Sequence, residues 1–214
     1  GIAATTLVVA SMQLDVQLNT TNLDDAAAAH LHQGYAGANG GVLVGLDQDA
    51  TNAANWSASA VLTAEQYEAI ARGESYFNVH TPDNEPGEAR GQLVPEGVAL
   101  YFVDLDGAQE VPPVTTEATG RGAVTLGIES GALVANLHAT GVDDATAAHI
   151  HEGAAGENGD VLVGLTQDAT DVTIWSVADT LTAEQVATMR SGSTYFNVHT
   201  PANEGGGIRG QIAN

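Results

Sequence analysis

The chain has no cysteine and no lysine, and five arginines are its only basic side chains apart from histidine, against 27 aspartates and glutamates. Without cysteine there is no disulfide, no thiolate metal site and no cysteine nucleophile. That absence does not exclude secretion. A formal net charge of −22 repels phosphate backbones and anionic membrane faces, which argues against nucleic acid as a partner. The same charge favours solubility in salt and attracts divalent cations, in keeping with a saline or extracellular setting. No apolar run approaches the roughly 20 residues of a membrane helix, so no membrane insertion is expected. No leader peptide is visible, and a secreted form is expected to have lost one.

What the chain does have is a repeat. Displaced by 119 residues, positions 1–95 align with 120–214 without a gap, and 50 of the 95 pairs are identical. Among the identical pairs are His30/His149, His32/His151, Gly34/Gly153, Gly37/Gly156 and Trp56/Trp175. The run YFNVHTP at 76–82 and 195–201, and RGQ at 90–92 and 209–211, are also shared. His138 faces Asn19 in the other copy and reads as an ordinary strand or loop residue. Two domains follow, 1–97 and 98–214. The second opens with VALYFVDLDGAQEVPPVTTEAT at 98–119, a strand-like run and a Pro-containing turn for which the first copy has no counterpart. The first repeat is therefore expected to lack its first strand. Either the chain is a piece of a longer repeat protein, or a neighbouring molecule supplies the strand and subunits build a fibre or filament.

Short apolar runs broken by Gly, Pro, Asn and Asp, such as LDVQLNT, GVLVGL and YFNVHT, predict many short antiparallel strands. The expected fold class is all-β, two tandem antiparallel Greek-key β-sandwich or barrel domains, each with one short helix. The helix signal is LTAEQ, in which Thr63 and Gln66, or Thr182 and Gln185, form a capping box. Leu62 with Tyr67, and Leu181 with Val186, are placed as hydrophobic staples, and Gly73 and Gly192 as helix stops.

On a strand, residues two apart share a face, so His30 and His32 project together, as do His149 and His151. Tyr76, Asn78 and His80 also share a face. If pairing brings His80 beside His30 and His32, and His199 beside His149 and His151, three imidazoles converge in each domain. Such a set suits one copper or zinc ion per domain. The competing reading is that these imidazoles hydrogen-bond the backbone of the Gly-rich loop, with pH sensing or a ligand contact as a third. Calcium is a further possibility at DQDAT (47–51) and TQDATD (166–171), although neither matches an EF-hand loop. Trp56 and Trp175 read as core or inter-loop packing rather than a binding platform. No Gly-x-Ser-x-Gly elbow, phosphate loop or dinucleotide fingerprint is present.

The series AAHIHEGAAGENGDVLVGL…YFNVHTPANEGGGIRGQI, its first-copy version, and LDGAQEVPPV at 105–114 resemble the CHRD domain, named after chordin. The resemblance covers nearly the whole chain and implies a secreted or cell-surface β-rich module, partnered by extracellular proteins or other copies of itself. The order His-x-His, Gly-rich loop, Val-His, then Arg before the last strand is also similar to copper/zinc superoxide dismutases. That likeness implies copper ligands at His30, His32, His80, His149, His151 and His199, with Arg90 and Arg209 attracting an anion. It implies, as an alternative, a copper oxidoreductase. The bridging histidine and zinc ligands of that family have no counterpart at 33–79, and its cysteines are absent. Asn78 and Asn197 are placed to orient a ligand imidazole. Arg90 and Arg209 have a second reading, as loop pins paired with Glu85 or Glu204.

Overall fold

The computed structural model describes residues 2–8 and 11–213 and falls into two compact units, Gly1–Pro95 and Glu96–Asn214. Unit 1 contains β1 (Ile2–Val8), β2 (Gln13–Asn19), β3 (Ala28–Gln33), β4 (Val42–Gln48), β5 (Asn55–Val61), α1 (Ala64–Ala71), β6 (Ser75–His80) and β7 (Ala89–Gln92). Unit 2 contains β8 (Val98–Asp106), β9 (Thr119–Gly127), β10 (Ala132–Thr140), β11 (Ala147–Glu152), β12 (Val161–Gln167), β13 (Ile174–Thr180), α2 (Ala183–Arg190), β14 (Thr194–Thr200) and β15 (Asn203–Ile212).

Alternation builds the strands. In β2, Leu14, Val16 and Leu18 are buried while Asp15 and Gln17 face solvent. In β10 the buried set is Leu133, Ala135, Leu137 and Ala139, and His138 is exposed, an ordinary strand histidine as its sequence context implied. Strands β6 and β14 depart from alternation: β14 is buried on both faces, with Phe196 and Val198 in the core and Tyr195 and Asn197 covered on the other side. What covers that second face is the candidate site.

In unit 2 the strand order β10-β13-β12-β11-β14-β15-β8-β9 closes into an eight-stranded barrel. Strands β11, β12 and β13 follow one another and β13 then pairs with the earlier β10, which is a Greek-key crossover. Closure removes both sheet edges. Unit 1 repeats the order from β1 to β7 as an open seven-stranded sheet, β1-β2-β5-β4-β3-β6-β7, with no strand equivalent to β8 among its described residues. Each unit has its own core, and Trp56 and Trp175, both 4 % exposed, lie in them.

Both helices start on the expected capping boxes. The Thr63 hydroxyl accepts from Gln66 N (3.2 Å) and the Gln66 amide oxygen accepts from Thr63 N (2.9 Å); Thr182 and Gln185 do the same. Gly73 and Gly192, at φ 77° and 78°, end the helices in the left-handed region.

Candidate metal centre

Pairing places three imidazoles together in each unit. Strand β3 lies beside β6 with Ala28 opposite His80, His30 opposite Asn78 and His32 opposite Tyr76. In unit 2, Ala147 faces His199, His149 faces Asn197 and His151 faces Tyr195. One ligating nitrogen from each of His30, His32 and His80 lies within 4.8 Å of the others, and the same holds for His149, His151 and His199. These triads are the only clusters of three or more metal-ligating side chains among the described residues. A β-bulge at Leu31/His32 and at Ile150/His151 shifts the register against the next strand, and such bulges re-aim a side chain.

Backbone carbonyls decide the tautomers. His32 Nδ1 lies 3.0 Å from Gly40 O and His80 Nδ1 lies 2.8 Å from Glu85 O; His151 with Gly159 O and His199 with Glu204 O are at 3.0 Å. A carbonyl only accepts, so each of these Nδ1 atoms carries the proton and each Nε2 of the neutral ring is a bare lone pair. His80 Nε2 accepts from His30 Nδ1 at 3.0 Å, and His199 Nε2 from His149 Nδ1 at 2.9 Å. The Nε2 atoms of His32 and His151 are buried and have no hydrogen-bond partner. Burying a lone pair without a donor is unfavourable, and a cation held among the triad satisfies it. Burial and the neighbouring imidazoles hold His30 and His149 below the usual histidine range, and burial does so for His151, which keeps them neutral and able to ligate near neutral pH.

The Gly-rich loops at 34–41 and 153–160 fold over these strands. A Cβ on Gly40 or Gly159 would lie 1.5 or 1.7 Å from the carbonyl oxygen of Gln33 or Glu152, so neither position accepts a side chain. The Tyr76 and Tyr195 hydroxyls accept from the backbone N–H of those same glycines at 3.2 Å. Each tyrosine ring stacks on a triad histidine, Tyr76 on His32 and Tyr195 on His151, with centroids 5.0 Å apart. The repeated YFNVH run and RGQ contained this support, but the tyrosines and Gln92/Gln211 were not singled out from sequence. Gln92 and Gln211 donate to the carbonyls of Gly34 and Gly73, and of Gly153 and Gly192.

The arginines pin the loops through oxygens other than those of Glu85 or Glu204. Arg90 donates to Tyr35 O, Ala38 O and Asn39 Oδ1, and Arg209 to Ala154 O, Glu157 O, Asn158 Oδ1 and Gln211 Oε1. Each guanidinium carbon lies 3.4 Å from the centre of a tyrosine ring, Tyr76 or Tyr195. The tyrosine strand lies between the arginine strand and the His-x-His strand, so the charge stands behind a ring. The asparagines also differ from expectation, since backbone carbonyls rather than amides orient the imidazoles. Asn78 donates to Pro86 O (3.1 Å), and Asn197 to both carboxylate oxygens of Glu110 (3.3 and 3.2 Å).

Glu110, which the sequence reading did not single out, is 5 % exposed. Burial pushes its carboxyl up to about 7, against the opposing pull of Arg209 and Asn197. Its only sequence signal is LDGAQEVPPV, which occurs once in the chain. The aspartates of the calcium candidates are engaged in their own turns. Asp49 accepts from Thr51 and Asn52, and Asp168 from Thr170 and Asp171; these bonds hold both carboxyls below the usual range.

No match was found among curated proteins or among solved structures. Among the described residues no helix is long and apolar enough to cross a membrane. The CHRD domain family matches residues 1–93 and again 101–212, which takes in both histidine triads, both covering loops and nearly every strand. The chain therefore belongs to the CHRD domain family, as a tandem of two such domains.

Proposed function

We propose that this chain is an extracellular interaction module in which each domain carries one three-histidine copper or zinc site that fastens the Gly-rich loop to the sheet. CHRD domains are interaction modules of extracellular type. The observation that carries the metal reading is the buried, partnerless Nε2 of His32 and His151, deprotonated because Nδ1 is committed to a loop carbonyl. His32 and His80 present Nε2 as they stand, and His30 ligates through Nδ1 once its proton moves to its other nitrogen. Three neutral nitrogen donors suit copper or zinc and leave a position open for water or a partner's side chain. The loop carbonyls that orient the rings couple metal uptake to loop order. A positioning role for the metal fits better than dismutase-type chemistry, because both arginines bond loop oxygens behind a tyrosine ring.

The test is a zinc titration of metal-free chain at about 0.15 M salt, where weak binding to the acidic surface is screened. Two equivalents are expected to bind. His80→Ala and His199→Ala should each remove one, and the double variant both. Binding that ignores the double variant, or that stays below one equivalent, would leave the histidines as hydrogen-bonding partners of the loop only.

A further inference from the structure

The loops that cover the triads contain both Asn-Gly dipeptides of the chain, Asn39-Gly40 and Asn158-Gly159. All four residues are exposed. A glycine leaves its own nitrogen unshielded, so the side chain of an asparagine ahead of it can close on that nitrogen as a succinimide ring, an intramolecular attack that needs no enzyme. In each copy the surroundings bear on the reacting atoms. Arg90 donates to Asn39 Oδ1 at 3.0 Å and Arg209 to Asn158 Oδ1 at 3.3 Å, so a cation stands where negative charge collects as the side-chain carbon is attacked. The attacking nitrogens are restrained, since the N–H of Gly40 is donated to the Tyr76 hydroxyl and that of Gly159 to the Tyr195 hydroxyl, both at 3.2 Å.

The glycine that reacts is also the one that orients the triad. Gly40 O holds His32 Nδ1 and Gly159 O holds His151 Nδ1, both at 3.0 Å. Each glycine sits so close to the carbonyl of Gln33 or Glu152 that even a methyl group collides there. A lengthened main chain does not fit with the loop in place.

We propose that Asn39-Gly40 and Asn158-Gly159 are self-modifying bonds, at which succinimide formation and opening to isoaspartate release the Gly-rich loop from its histidine triad. The glycine nitrogen bonds to the asparagine Cγ, the Cγ–Nδ2 bond breaks, and ammonia leaves with the proton that the glycine N–H gives up. Water then opens the ring. Opening at Cγ gives aspartate, whose carboxylate stays on the arginine. Opening at the main-chain carbonyl gives isoaspartate, which adds one carbon to the main chain ahead of the glycine and moves the glycine carbonyl off its histidine. The bond from glycine N–H to tyrosine holds the reaction back while the loop is closed, so conversion follows local opening and then makes it permanent. This inference rests on the metal reading only for its last consequence, loss of the ion, because the chemistry and the loop release take place in metal-free chain.

The test keeps intact, metal-free chain at mildly alkaline pH and follows each asparagine by peptide mapping, with fragmentation that separates aspartate from isoaspartate. Asn39 and Asn158 should convert at least about tenfold faster than Asn22, Asn52 and Asn84, which are exposed but precede Leu23, Ala53 and Glu85. Tyr76→Phe and Tyr195→Phe remove the acceptor of the glycine N–H and keep the ring, so each should speed its own loop about fivefold. In isoaspartate-rich chain the Nδ1–carbonyl bonds of His32 and His151 should be lost by nitrogen NMR, and the amides of 34–41 and 153–160 should exchange faster. A chain with Asn39→Gln and Asn158→Gln, given the same treatment, should show neither change. Zinc uptake should fall by one equivalent for each isoaspartate, and fresh chain that takes up no zinc overturns the metal reading alone. Loops that convert no faster than the three control asparagines, rates indifferent to both tyrosine substitutions, or isoaspartate that leaves the histidine bonds and the exchange unchanged would overturn the proposal.

Discussion

Arg209→Ala is expected to destabilise unit 2 by about 3–5 kcal/mol, whereas the equivalent Arg90→Ala should cost unit 1 only about 1 kcal/mol. The residues are repeats of one another, and each stacks 3.4 Å over a tyrosine. What differs is burial. Arg209 is 1 % exposed and donates to two loop carbonyls and two side-chain oxygens, and its charge lies close enough to pull the buried Glu110 carboxyl down. Truncating it leaves those acceptors without donors and a buried acid without its cation. Arg90 makes comparable bonds, but it is exposed and water can replace them. Each unit has a single core tryptophan, so urea unfolding in a Trp56→Phe background reads unit 2 through Trp175, and a Trp175→Phe background reads unit 1. Equal losses in the two units would contradict the argument.

The second large effect is a loss of stability with rising pH that is confined to unit 2. Glu110 has a folded-state value of about 7 against 4.5 for a free glutamate. Between these values the folded unit holds a proton that the unfolded chain has released. Stability from this group is therefore fully present below pH 4.5 and is lost as pH rises through 7, by about 3 kcal/mol in all. The sign comes from burial, since Glu110 is 5 % exposed, and it prevails over Arg209 and the Asn197 amide, which donates to both carboxyl oxygens and favours the charged form. Metal-free histidines act in the opposite direction. His30, His149 and His151 are held below their ordinary value, so the folded units lose stability as pH falls below 6.5. Unit 1, whose described residues hold no buried glutamate matching Glu110, should show only this acid limb. Unit 2 should show both, and Glu110→Gln should flatten its alkaline limb. Unfolding monitored through Trp175 between pH 5 and 8 decides this, and an alkaline loss that persists in Glu110→Gln would refute the assignment.

Much of this architecture was legible in the sequence because it rests on local periodicity and on duplication. Short apolar runs such as LDVQLNT and the alternation in YFNVHT marked strands, the LTAEQ box marked both helices, and the one-residue spacing of His30 and His32 placed them on one face. The shared His80 and His199 were close enough to a strand end for pairing to complete each triad. What was not legible depends on contacts made across the sheet. The sequence shows that Arg90 and Arg209 recur, but the choice between a carboxylate and loop oxygens rests on how the Gly-rich loop folds back over Tyr76 and Tyr195. Asn197 meets Glu110, 87 residues away, a pairing with no repeat to reveal it. The open edge of unit 1 was foreshadowed by the unmatched segment at 98–119.

The most direct test of the metal reading is the nitrogen NMR of the histidine rings, recorded on metal-free and zinc-loaded chain. In the metal-free protein His32 and His151 should show a protonated Nδ1 and a bare Nε2, and zinc should shift the Nε2 resonances of both while Nδ1 stays protonated. A proton found on Nε2 of either ring, or Nε2 signals that zinc leaves unmoved, would contradict the claim that these lone pairs are held for a metal.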